Sequence, residues 1–186
     1  MARTPSNMIP LNSVASNFNL LDTISGEFKD LNNLKGPKGT VLFFICNHCP
    51  FVIHVNEELV KLANDYLVKG IQFVAISSND VMNYPQDSPE LMKKQGEILK
   101  YPFPYLYDET QEVAKAYDAA CTPDFYLFDG NLKLVYRGQL DDSRPGNGMP
   151  VTGEDMRNAL DCLLGEKENT KPQKPSIGCN IKWKIK

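Results

Sequence analysis

The sequence predicts an α/β fold: a mixed β-sheet with helices on both faces, an N-terminal β-hairpin and a C-terminal tail. Three observations carry this. "TVLFFI", residues 40–45, is an unbroken apolar run, as expected of a central strand covered on both faces. From Phe51 the period changes: Val52, Val55, Leu59, Leu62 and Tyr66 recur at steps of three and four, the stripe of an amphipathic helix reaching to about Val68. Gly70 ends it, and "IQFVAIS" is a second buried strand. Strand, helix and strand in that order form a βαβ unit, which closes right-handed.

The flanking elements follow from local chemistry. Residues 18–34, "FNLLDTISGEFKDLNNL", give two short strands around Ser25-Gly26-Glu27 and then a helical turn. In the Pro-punctuated segment after the second buried strand, Ser88 caps a short helix whose first residue is Pro89, where a missing N–H is harmless. A short strand near Tyr105 and a helix from Thr110 to about Ala119 come next. "CTPDFYLFDGNLKLVYRG" gives two strands joined by Asp129-Gly130-Asn131, a good hairpin turn. A final helix opens with Thr152-Gly-Glu-Asp155, a capping box with Asp in place of Glu, and stops at Gly165.

Residues 1–165 are thus the domain, and residues 166–186 a Lys-rich tail with six lysines against two glutamates. The first half of the tail reads as loosely laid down, while Ile177, Ile181 and Trp183 are candidates to dock.

Composition excludes several classes. A net charge of −3 leaves no footprint for nucleic acid, and no stretch approaches the roughly 18 apolar residues of a membrane span. The N-terminal residues mix Pro, Asn and Ser with apolar ones and hold no continuous h-region, so the expected compartment is cytoplasmic. The five cysteines, at 46, 49, 121, 162 and 179, are an odd set that argues against a disulfide scaffold. In a reducing compartment the close pair reads as catalytic or metal-binding.

That pair sits in "CNHCP". A strand ending at Ile45 and a helix beginning near Asn47 place Cys46 at a helix N-terminus. There unpaired N–H groups and the macrodipole stabilise a thiolate. Cys49 lies about a turn further on, placed to resolve a mixed disulfide formed by Cys46. A partly protonated His48 between them favours the thiolate further, an effect lost as pH rises through the imidazole pKa.

The order strand, CxxC, long helix, strand, then Thr122-Pro123 before a hairpin and a closing helix resembles the thioredoxin-like family over residues 15–165. The resemblance implies a cis Pro123 facing the two cysteines across a substrate groove, with Thr122-Pro123 presenting backbone to the partner. The C-x-H-C form is similar to that of the bacterial disulfide oxidants.

The N-terminal half, "FNLLDTISGEFKDLNNLKGPKGTVLFF", is also similar to the peroxiredoxin and alkyl hydroperoxide reductase superfamily, which places Pro directly after its peroxide-reactive cysteine, as Cys49-Pro50 does. That superfamily's threonine falls on Cys46 and its proline on Leu42, and no arginine follows near Pro123. Thioredoxin's buried Asp falls on Thr40 and its Trp on Ile45. The resemblances together imply a peroxiredoxin-like protein carrying a thioredoxin-type dithiol.

The expected activity is thiol–disulfide exchange with catalytic Cys46 and Cys49, supported by Asn47, His48, Pro50, Thr122 and Pro123. The substrate class is a protein or small-molecule disulfide or thiol, with peroxide the alternative, and no cofactor or metal is required. Two other readings stand beside it. One is a thiol peroxidase using Cys49. The other is a non-catalytic module that binds a partner, or a metal through Cys46, Cys49, His48 and one of Cys121 or Cys179. Cys121, beside Thr122, is either a third redox thiol or a small buried residue filling a loop. Cys162 reads as core, His54 as surface, and Asp141, Asp142 and Arg144 as a solvated charged loop.

Overall fold

The computed structural model describes residues 3–185; residues 1, 2 and 186, at the outer ends of the N-terminal and tail segments read above, lie outside them. The chain begins with β1 (Thr4–Pro5), the hairpin β2 (Asn19–Asp22) and β3 (Phe28–Asp30), and one turn of helix, α1 (Leu31–Leu34). The βαβ unit is β4 (Gly39–Phe44), α2 (Pro50–Leu67) and β5 (Ile71–Ser77). A 3-10 turn, Pro85–Asp87, leads into α3 (Pro89–Leu99), β6 (Tyr105–Tyr107) and α4 (Glu112–Ala116). β7 (Cys121–Thr122), the hairpin β8 (Asp124–Asp129) and β9 (Leu134–Gly138), α5 (Glu154–Leu164) and β10 (Ile177–Asn180) complete it.

The main sheet has seven strands in the order β3-β2-β6-β5-β4-β8-β9. β4 is central, parallel to β5 and antiparallel to β8, and β5 is parallel to β6, so the sheet is mixed. Every residue of β4 is buried. Val41 and Phe43 face an apolar cluster with α2, α3 and α5, while Leu42 and Phe44 face another that includes Leu31 and Ala114 from α1 and α4. Burying each of the two phenylalanines contributes about 2–3 kcal/mol, which is why a strand apolar on both faces ends up in the middle.

Local differences from the sequence reading have local causes. α2 starts at Pro50, with Cys49 as its N-cap in an extended conformation (φ −73°, ψ 119°), not near Asn47. Proline disfavours the helical region for the residue before it, so the helix cannot run back through the cysteines. α4 is held to five residues because Gln111 at its start is left-handed (φ 63°) and Tyr117 leaves the helical region at its end. No capping box opens α5. Its N-cap is Gly153 at φ 65°, and the buried Asp141 carboxylate accepts from the N–H groups of Thr152 and Gly153, each at 2.7 Å.

The second half of the tail docks. β10 lies between β1 and β7 in a small three-stranded sheet, and Ile181 is buried. Trp183, expected to dock with it, stays 41% exposed.

Candidate active site around Cys46 and Cys49

The site forms where three segments meet: the loop from β4 into α2, the Pro85–Asp87 turn, and the β7–β8 junction. The Thr122-Pro123 peptide is cis. Its position brings Thr122 to both cysteines, with Thr122 Oγ1 3.6 Å from Cys46 Sγ and the Thr122 carbonyl oxygen 3.1 Å from Cys49 Sγ. Both sulfurs are buried, in the cluster that packs α2 against the sheet.

The dithiol loop is shaped by a carboxylate from forty residues away. Asp87, fully buried, accepts at Oδ1 from the backbone N–H of Asn47 (2.8 Å) and of His48 (3.3 Å). Its Oδ2 accepts from Asn79 Nδ2 (2.8 Å) and His48 Nδ1 (2.7 Å). A carboxylate only accepts, so His48 Nδ1 carries the hydrogen in this bond. Cys46 Sγ lies 3.9 Å from the same nitrogen. The ring of His48 stacks on Tyr84 at 5.5 Å between centroids, and Tyr105 OH donates to Asn47 Oδ1 (3.2 Å).

The two neighbouring thiols shift each other's ionisation in opposite directions. When one proton leaves, the remaining Cys46 S–H donates to the Cys49 sulfur. That bond, helped by the Thr122 and Cys179 side chains, brings Cys49 down to about 5 in spite of its burial. The same bond pushes Cys46 well up, with burial and the negative charge of Asp87 adding to it. With both thiols protonated, Cys49 donates to the Thr122 carbonyl, a contact that suits the neutral form.

Charge in the pair therefore settles on Cys49, the N-cap, and not on Cys46 as the sequence reading had it. The later helix start agrees with this, since the unpaired N–H groups and positive end of the macrodipole belong to the turn after Cys49. His48 likewise serves a different partner. Its Nδ1–H is committed to Asp87, whose charge opposes ionisation of Cys46.

A profile of the AhpC/TSA family matches residues 11–137. The chain belongs to the AhpC/TSA family. It is also similar to solved structures along its whole length. An uncharacterized conserved protein from Geobacillus kaustophilus is 64% identical, covering 100% of this chain and 98% of that one, with a TM-score of 0.98. A hypothetical protein from Sinorhizobium meliloti 1021 is 47% identical over 98% of this chain and 100% of its own, at a TM-score of 0.96. The thioredoxin domain of a thiol-disulfide oxidoreductase from Bacteroides vulgatus is 24% identical. It covers 70% of this chain and 91% of that one at a TM-score of 0.59, and shows the shared thioredoxin-like fold. No match is found among curated proteins.

In this AhpC/TSA chain, Cys46, Asn47, His48, Cys49, Thr122 and Pro123 come together in one locus. Pro50 contributes by fixing where α2 begins. Cys121 is buried beside them, its Sγ 3.7 Å from the Pro123 carbonyl, and burial pushes its thiol far up. Thr40, in the place of thioredoxin's Asp, is buried and accepts from Gly36 N–H (3.1 Å). For metal ligands the fold gathers Cys46, His48 and Asp87, whose donor atoms lie within 4.8 Å of one another, a set in which Asp87 replaces the second cysteine considered from sequence.

Three features escaped the sequence. Asp87 carries no spacing signal, being set by the tertiary fold alone. The "solvated" loop instead holds a buried Asp141, with His54 Nε2 2.7 Å from Ser143 Oγ beside it. The backbone edge of Thr122, expected to meet a partner, is already paired with β10, Cys179 opposite Thr122. The crevice left beside Pro123, bounded by Phe51, His54, Arg144 and Ser176, is about 10 Å³. That is room for about one water.

Proposed function

We propose that this redoxin is a thiol–disulfide oxidoreductase working through the Cys46/Cys49 dithiol on protein or small-molecule disulfides. One observation carries the reading: two cysteines separated by two residues, both buried and both held against Thr122 at the cis proline. Cys46 borders His48, whose side chain is 23% exposed, whereas Cys49 is closed in by Thr122 and Cys179. Cys46 is therefore the attacking sulfur, and the Cys49 thiolate, already accepting its hydrogen, takes the proton as it attacks.

The S–S bond of the substrate breaks, a Cys46–substrate disulfide forms, and one substrate thiolate leaves. Cys49 then loses its proton and attacks Cys46, releasing the second substrate thiol and leaving a Cys46–Cys49 disulfide. The substrate gains two electrons from the dithiol and two protons, one from the dithiol and one from water. A reducing, cytoplasmic setting suits a chain whose cysteines are odd in number.

The family supports a second reading, peroxide reduction by Cys49, and the low pKa of that thiol favours it. Mass analysis after exposure to oxidised glutathione, paired with stopped-flow reaction with hydrogen peroxide, separates the two. The dithiol reading expects loss of two hydrogens in the wild type, mapped to a Cys46–Cys49 link, and no turnover of the disulfide by Cys46→Ser or by Cys49→Ser. Fast peroxide reaction that survives Cys46→Ser and disappears in Cys49→Ser would overturn it in favour of the peroxidase.

A further inference from the structure

The strand on the Thr122 edge brings a third sulfur to the dithiol. β10 lies antiparallel on β7 with Cys179 opposite Thr122 and Asn180 opposite Cys121. Its approach is so close that a Cβ added at Gly178 would stand 1.9 Å from the Thr122 carbonyl oxygen, so only glycine fits there. Cys179 is buried in the same apolar cluster as Cys46 and Cys49. Thr122 is the common neighbour of all three: its hydroxyl is near Cys46, its carbonyl near Cys49, and its backbone is paired with Cys179.

The strand is pinned on both sides of Cys179. Before it, Ser176 N donates to Ser6 Oγ (2.9 Å) and Ser176 Oγ to the Pro123 carbonyl (2.7 Å). After it, Ile181 N donates to the Ala120 carbonyl (3.1 Å) and Lys182 N to Asn79 Oδ1 (2.8 Å), a side chain that also donates to Asp87. The tail thus presents one cysteine where the thioredoxin-like reading puts a substrate strand.

We propose that Cys179 is a third redox thiol of this site, exchanging with the Cys46–Cys49 disulfide to form a Cys49–Cys179 disulfide. The proposal rests on the dithiol reading above. After a substrate disulfide has been reduced, the Cys179 sulfur attacks the Cys49 sulfur. The Cys49–Cys179 bond forms, the Cys46–Cys49 bond breaks, and Cys46 leaves as a thiolate that takes up the proton given by Cys179. No electrons are gained or lost overall. The exchange returns Cys46 to its thiol form while the tail strand holds the oxidising equivalent.

The acid–base setting agrees with this order of events. In the reduced protein, burial and the ionised Cys49 hold Cys179 up at about 12, so it serves as a hydrogen donor. Once Cys49 is in a disulfide its charge is gone, and the Lys182 ammonium, which favours the Cys179 thiolate, remains.

The test is oxidation by oxidised glutathione followed by alkylation and peptide mapping. In Cys46→Ser the expected product is a peptide pair linked through Cys49 and Cys179, with Cys121 and Cys162 alkylated. A glutathione adduct on Cys49 with Cys179 alkylated would sink the proposal. Gly178→Val in the same background drives a side chain into the Thr122 carbonyl and lifts the strand. It should slow formation of the Cys49–Cys179 link at least about tenfold, since the positioning is lost; an unchanged rate also counts against it. The wild type gives an independent measurement: in mixtures of reduced and oxidised glutathione both linkages should appear, and Cys46–Cys49 alone at every ratio refutes the exchange. If the wild type forms no Cys46–Cys49 disulfide at all, the dithiol reading itself has failed.

Discussion

Asp87 shows how a single residue outside the cysteine motif sets what the motif can do. Itself fully buried, it accepts from two backbone N–H groups of the dithiol loop and from the side chains of Asn79 and His48. Asp87→Ala removes every one of these acceptors and leaves buried donors unpaired, at a cost of about 3 kcal/mol in urea unfolding. Asp87→Asn keeps the shape and removes the charge. Because that charge opposes ionisation of Cys46, the second proton of the dithiol should leave at lower pH in the Asn variant, as read from ultraviolet thiolate absorbance. A titration identical to the wild type would remove Asp87 from the electrostatics of the site. Nothing at the level of spacing marks Asp87 in the sequence, because its partners in the dithiol loop lie about forty residues earlier and only the fold joins them. Cys49-Pro50 is the opposite case. The proline was a readable signal that the helix starts after Cys49, and it decides which sulfur holds the charge.

At the level of elements, what could be read from the sequence was what local physics determines. The unbroken apolar run of β4 and the three-four stripe of α2 are fixed by burial, and Val52, Val55, Leu59, Leu62 and Tyr66 are all buried in the structure. Ser88 does cap α3, accepting from Leu91 N, with Pro89 in its first turn. What could not be read was pairing between distant segments: the docking of β10 on β7, and the ion pair that joins β8 to β9. In that pair Arg137 and Asp124 are both fully buried. Arg137 Nη2 donates to Asp124 Oδ2 at 2.9 Å, and the guanidinium stacks over Tyr126 at 3.8 Å. Removing one partner strands a buried charge. Asp124→Ala should therefore lose about 3–5 kcal/mol in chemical denaturation. Replacing both with apolar residues of similar volume, Arg137→Met with Asp124→Leu, should lose much less. Equal losses in the two variants would mean that the pair acts through packing alone.

Over the whole molecule, the shared proton of the dithiol links redox chemistry to stability. Cys49 is held at about 5 in the folded protein, below its ordinary value of 9.0. Between these two values the unfolded chain keeps a proton that the folded chain has already released, so stability rises with pH across that window. The contribution is complete above the unfolded value and is lost as pH falls through about 5. Above 9 the sign reverses, because Cys46 and Cys179 hold their protons in the folded state after the unfolded chain has lost its own. The reduced protein should therefore show a midpoint of thermal unfolding that climbs from about pH 5 towards 9. In Cys49→Ser the climb should flatten, since the remaining groups of the site gain nothing from that charge. Forming the Cys46–Cys49 disulfide removes the same ionisable pair and should flatten the profile of the wild type in the same way. Parallel profiles for reduced wild type, oxidised wild type and Cys49→Ser would show that no thiolate is stabilised by the fold. In that case the arrangement at Thr122 would hold two ordinary buried thiols.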